Sequence, residues 1–129
     1  MWAMGNIAGD STQRDVLLKH GALQPLLKII EDPAASEFFM QYGTWAAANL
    51  CRGRPLPKIE EIQAAIPTFC KIISSQTKTQ ILVDAAWTLS YLTFLSTNEE
   101  SVDVVKMKEN IGYIINCPKT ISALVSLLS

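Results

Sequence analysis

The stretch Trp45-Ala46-Ala47-Ala48-Asn49-Leu50-Cys51-Arg52-Gly53 decides how this chain is read, because variants of it stand twice more at a fixed distance. Residues 2–9 read WAMGNIAG and residues 87–94 read WTLSYLTF, so Trp2, Trp45 and Trp87 lie 43 and 42 residues apart. A second marker keeps the same phase. It reads QPLLKII around Pro25 and IPTFCKII around Pro67, with a degenerate copy, ISALVSLLS, from Ile121. Two markers in phase define an internal repeat, and a period in the low forties belongs to all-helical solenoids or to four-stranded propeller blades. Strand chemistry is absent, which leaves the helical solenoid.

Punctuation locates the helices. Gly21 and the loop Gly53-Arg54-Pro55-Leu56-Pro57 break the chain, whereas Pro25 and Pro67 suit the first turn of a helix. The spacing predicts helices over about Gln13–His20, Leu23–Glu31 and Ser36–Arg52, and again over about Ile59–Ala64, Ile66–Ser74 and Thr79–Leu95. Three helices per unit, the last longest, is the armadillo pattern. The fold expected is therefore an all-α, right-handed superhelical armadillo segment, with a partial repeat over 1–10, repeats over 11–53 and 54–96, and a partial, divergent repeat over 97–129. After Val104-Val105-Lys106, Met107 to Cys117 reads as an insertion of about ten residues before the next short helix.

The third helix of each unit carries two faces. Tyr42, Trp45, Asn49 and Arg52 share one stripe at 100° per residue, while Phe39, Ala46, Ala47 and Leu50 form another side suited to the core. In the next unit Gln80, Asp84, Trp87 and Tyr91 fall in one sector, with Val83, Ala86 and Leu89 or Leu92 expected to pack inward. A single helical tryptophan is more often core than ligand platform. Recurrence with a polar partner four residues on argues for the platform, because a buried, unpaired amide is costly.

Composition bounds the remaining possibilities. A net charge of −1 and no basic stripe with interleaved aromatics argue against nucleic acid as partner. No apolar run approaches the roughly 20 residues of a membrane span, and residues 1–6 have neither the basic nor the apolar part of a signal peptide. Cys51, Cys70 and Cys117, odd in number and widely spaced, fit small hydrophobes in a reducing compartment better than a disulfide framework. His20, the single histidine, precedes Gly21 as an ordinary helix-end residue, and no cluster has metal-ligand spacing. No cofactor, metal or catalytic constellation is expected. The basic stretch Arg52 to Lys58 is read as a solvated loop between repeats.

The strings WAMGNIAGDSTQRDVLLKHGALQPLL, TWAAANLCR and VDAAWTLSYLT resemble consecutive repeats of importin-alpha (karyopherin-alpha), from its third into its sixth, most closely over residues 1 to 95. That resemblance implies a nuclear import adaptor of cytoplasm and nucleus, not an enzyme. It would bind basic nuclear localisation peptides on its concave face and link cargo to importin-beta through a segment absent here. Trp2, Trp45 and Trp87 would form channels for lysine and arginine stems. Asn6 and Asn49 would clamp the peptide backbone, and Asp10 and Asp84 would pair with peptide cations. Arg52 and Tyr91 lie on the corresponding stripes of the two units; Tyr91 replaces Asn, as it does in this repeat of the family. Gln80 stands where relatives carry an acid and Tyr42 where they carry Asn, both bearing on selectivity. The chain would open inside a groove helix and stop after a second helix, leaving both ends uncapped. The alternatives are a generic armadillo scaffold and a truncated product without function of its own.

Overall fold

Asp10 and Gly21 set the limits of the first full short helix. The Asp10 carboxylate accepts the backbone N–H groups of Thr12 and Gln13 at 3.0 and 3.1 Å, capping α2 (Ser11–Lys19). At the other end Gly21 takes φ +75°, and Gly21 and Ala22 return their N–H groups to Leu18 and Leu17. That pair of bonds closes a helix whose next residue must be left-handed, which glycine adopts without strain. His20 Nδ1 lies 2.8 Å from the Val16 carbonyl, an ordinary residue at the helix end.

The computed structural model describes residues 1–75, 78–93 and 101–128, with residues 101–103 described by backbone alone. Its helices are α1 (Trp2–Ile7), α2, α3 (Leu23–Glu31), α4 (Glu37–Cys51), α5 (Ile59–Ile62), α6 (Ala65–Ser75), α7 (Thr79–Thr93), α8 (Ser101–Asn116) and α9 (Thr120–Ser126). The expected continuation of α7 to Leu95 falls outside the described residues. Helix α3 buries Leu23, Leu26, Leu27 and Ile30, and α6 buries Ile66, Phe69, Cys70 and Ile73. Both sets follow the i, i+3, i+4, i+7 spacing of one helical face. Each such aliphatic side chain contributes about 1.5–3 kcal/mol on burial.

Stacking of these faces produces three columns. Helix α1 packs on α4 and α4 on α7; α3 packs on α6 and α6 on α9; α2 packs on α5 and α5 on α8. Like helices pile on like helices, as in an all-α armadillo solenoid. Cys51 and Cys70 lie in the core as small apolar side chains, burial pushing their thiols up to about 12 and about 11, while Cys117 is half-buried.

Three expectations need correction. Met107 to Cys117 is no insertion between helices, because α8 runs unbroken to Asn116 and buries Met107, Asn110 and Ile114 at steps of three and four. Its extra length is helix. Phe39 is exposed, since it lies in the first turn of α4 with its ring edge-on to Phe38 rather than under α3. Val83 is exposed too, because the buried stripe of α7 is Ile81, Ala85, Leu89 and Leu92, and Val83 sits about 200° around the helix from Ile81.

Arg14 escaped the sequence reading. It is fully buried, donates to the carbonyls of Arg52 and Pro55 at 2.7 and 2.8 Å, and pairs with Asp15 at 2.7 Å. One guanidinium thus satisfies the chain as it leaves α4, where Gly53 has φ +100°. Leu56 is buried in the same loop, so Arg52 to Lys58 is tied to the body rather than merely solvated.

Candidate functional site

The first column presents one continuous face. Trp2 and Asn6 on α1, Trp45 and Asn49 on α4 with the extended Arg52 just past its C-terminus, and Asp84, Trp87 and Tyr91 on α7 are contributed by three successively packed helices. Asp10 lies just beyond α1, where it caps α2 through Oδ1. Trp45, Asn49, Arg52, Asp84, Trp87 and Tyr91 surround a shallow hollow of about 140 Å³, walled also by Ala48 and Thr88. Trp2, Asn6 and Asp10 lie outside that hollow. Trp2 and Trp87 are 60% and 57% exposed, which no core role requires.

Spacing between rings differs along this face. Trp2 and Trp45 stand with centroids 5.3 Å apart and planes 30° from parallel, in direct contact. A methylene stem sandwiched between two rings needs about 7–8 Å, twice the ~3.5–4.0 Å carbon contact. The Trp2–Trp45 pair is closed to such a stem. Between Trp45 and Trp87 lies the open hollow, its far side made by Trp87 stacked on Tyr91 at 5.7 Å and 26°.

Two residues on this stripe are partly structural. Trp45 is half-buried over Gly5, where a Cβ would collide with the indole Cζ3, so the close approach of α4 to α1 requires glycine there. Asn49 is 5% exposed and donates Nδ2 to the Gly5 carbonyl at 3.0 Å. The cost of burying an amide is offset here by a neighbouring backbone, not by a ligand. One amide hydrogen and the carbonyl oxygen remain beside the hollow.

Electrostatics concentrate at Asp84. Burial raises its pKa, opposed by a hydrogen bond from Gln80, so the carboxylate is held in a partly desolvated place that favours its neutral form or a cationic neighbour. Phe38, absent from the stripe as first read, extends it by one further step of four: its ring lies 4.5 Å from Tyr42, which lies 5.6 Å from Trp2. Continuing the three-and-four spacing back from Tyr42 would have found it.

Columns of equivalent helices define the class, a helical repeat protein, and the Armadillo/beta-catenin-like repeat family model matches residues 54–94. Over 107 residues, 82% of the chain, it is 39% identical to importin subunit alpha-2 of Arabidopsis thaliana, spanning 19% of that protein. It is 38% identical to importin subunit alpha-1b of Oryza sativa subsp. japonica over 82% of the chain, spanning 20% of that protein. With importin subunit alpha-B of Dictyostelium discoideum it is 44% identical over 65% of the chain and 16% of the relative. The chain is an armadillo-repeat homologue of part of the importin alpha subunits. It spans about a fifth of the length of these relatives.

Proposed function

We propose that the α1–α4–α7 face binds extended basic peptides of the nuclear-localisation type, so that the chain serves as a segment of a non-enzymatic transport adaptor. The observation that carries this is the hollow between Trp45 and Trp87 with Asp84 in its wall. A lysine stem entering it meets indole faces, each cation–ring contact adding about 0.5–2 kcal/mol, and its ammonium meets a carboxylate already stripped of part of its water. The spare N–H and carbonyl of Asn49 bond to peptide backbone whatever the side chains. Asn6 does so one repeat earlier, while Asp10 supplies a second acid. Arg52 donates to peptide carbonyls at the rim. Exposed ion pairs contribute about 0–1 kcal/mol singly, so affinity accumulates over several repeats. Work between cytoplasm and nucleus, and the joining of cargo to importin-beta, belong to the same proposal and rest on the relationship to importin alpha.

Titration with a fluorescently labelled lysine-rich peptide, read by anisotropy at two salt concentrations, tests it. Trp87→Ala and Asp84→Asn are the informative variants, because Trp87 is largely exposed and truncation there leaves the core intact. Trp45 and Asn49 also hold α4 on α1. Saturable binding that weakens with salt and drops about tenfold in each variant is expected. Equal binding by wild type and both variants would place the peptide elsewhere.

A further inference from the structure

The closed and open ring pairs on this face are chemically different sites. Phe38, Tyr42, Trp2 and Trp45 run as a ladder, with successive centroids 4.5, 5.6 and 5.3 Å apart. Two of its rings, Trp2 and Phe38, are 60% and 61% exposed. The rings touch one another, so nothing is inserted between them; what they offer is their outer surface. An exposed aromatic surface of that kind attracts a cation with a flat, weakly hydrated head far better than one with a compact, strongly hydrated head. The open hollow has the opposite character: a gap between rings for an aliphatic stem, with the Asp84 carboxylate as a point-charge partner.

We infer that the Phe38–Tyr42–Trp2–Trp45 ladder is an arginine-selective stacking platform, continuous with the lysine-accepting hollow between Trp45 and Trp87. The inference rests on the reading of this face as a basic-peptide groove and deepens it by dividing its specificity. The occupant is an arginine of the same bound peptide, on the Phe38 side of the residue that enters the hollow. Continuity argues for it: Trp45 is both the last ring of the ladder and a wall of the hollow, so an extended peptide that crosses the hollow reaches the ladder. The guanidinium lies flat over the rings and keeps its in-plane N–H groups for water and peptide carbonyls.

A scan of arginine-for-lysine exchanges decides it. Basic peptides identical except for one residue, arginine or lysine at each position in turn, are titrated against the wild-type chain, Tyr42→Asn, Phe38→Ala and Asp84→Asn. Phe38 is exposed and Tyr42 is half-buried outside the core, so these variants keep the core, which circular dichroism checks. In the wild type one position is expected to prefer arginine about threefold to tenfold. That preference shrinks toward unity in Tyr42→Asn and Phe38→Ala, and survives in Asp84→Asn although overall binding weakens. A wild-type ratio near one at every position, or a ratio that Tyr42→Asn and Phe38→Ala leave in place, overturns the platform while the groove reading stands. Peptide binding untouched by Asp84→Asn and Trp87→Ala, or no binding by the folded chain, overturns both.

Discussion

Asp84 shows how a single side chain can cost stability and supply affinity. Its pKa is raised by burial above the usual 3.8, so folding penalises the ionised carboxylate relative to the neutral acid. The favourable contribution of that neutral form is complete below the unfolded value and is lost as pH rises through the raised folded value. Asp84→Asn should therefore melt at a higher temperature than wild type at pH 7, the gap closing as pH falls toward about 4. Binding runs the other way. Affinity for a lysine peptide should fall as wild type is acidified through the Asp84 titration, and Asp84→Asn should bind weakly with a flat pH profile. Differential scanning fluorimetry and anisotropy across pH 4–8, on the order of the carboxylate range, check both halves. Asn49 illustrates the converse, a residue typed for ligand binding whose first obligation is the Gly5 carbonyl.

Among the elements, α2 depends on Asp10, which the importin-alpha resemblance also makes a ligand for a peptide cation. The two roles separate by chemistry. Asn caps a helix about as well as Asp, whereas Ala does not, at a cost of about 0.5–2 kcal/mol. Asp10→Ala should lower the urea midpoint, and Asp10→Asn should leave it in place while weakening the binding of lysine peptides. If Asp10→Asn binds as wild type does, Asp10 is a cap alone. Helix α8 carries a different lesson. Its buried positions, Met107, Asn110 and Ile114, include an amide whose Nδ2 bonds to the Leu92 carbonyl at 3.2 Å. A polar residue in the inward stripe breaks the apolar periodicity on which a helix is recognised, so the segment reads as an insertion until its partner on α7 is seen.

On the scale of the whole molecule, each helix packs both on its neighbours within the repeat and on its equivalents in the adjacent repeats, and the middle of the stack is the most consequential place to cut. Phe69 is fully buried on α6, which packs against α3 on one side and α9 on the other. Phe69→Ala should cost about 3–5 kcal/mol and be seen as loss of cooperative helical melting by circular dichroism. Substitution at Val125, exposed on α9, should stay within about 0.5 kcal/mol. A groove assembled from separate helices inherits the same dependence, so damage to the α6 core should weaken peptide binding without touching a peptide contact.

The repeat period, the helical class, the helix series from α2 to α7, the shared stripe of Trp45 and Asn49, and the relationship to importin alpha were legible in the sequence. Each is a property of spacing within one segment or of recurrence between segments. Tertiary structure alone decided that Trp2 and Trp45 touch while Trp45 and Trp87 stand open around a hollow, that Asn49 is bound to Gly5, and that Arg14 holds the loop after α4. The reason is geometric: a residue's angle around its own helix follows from a fixed 100° step, whereas the gap between side chains of different repeats depends on the offset between packed helices. That offset is set by residues on other helices, such as Gly5 of α1 under Trp45.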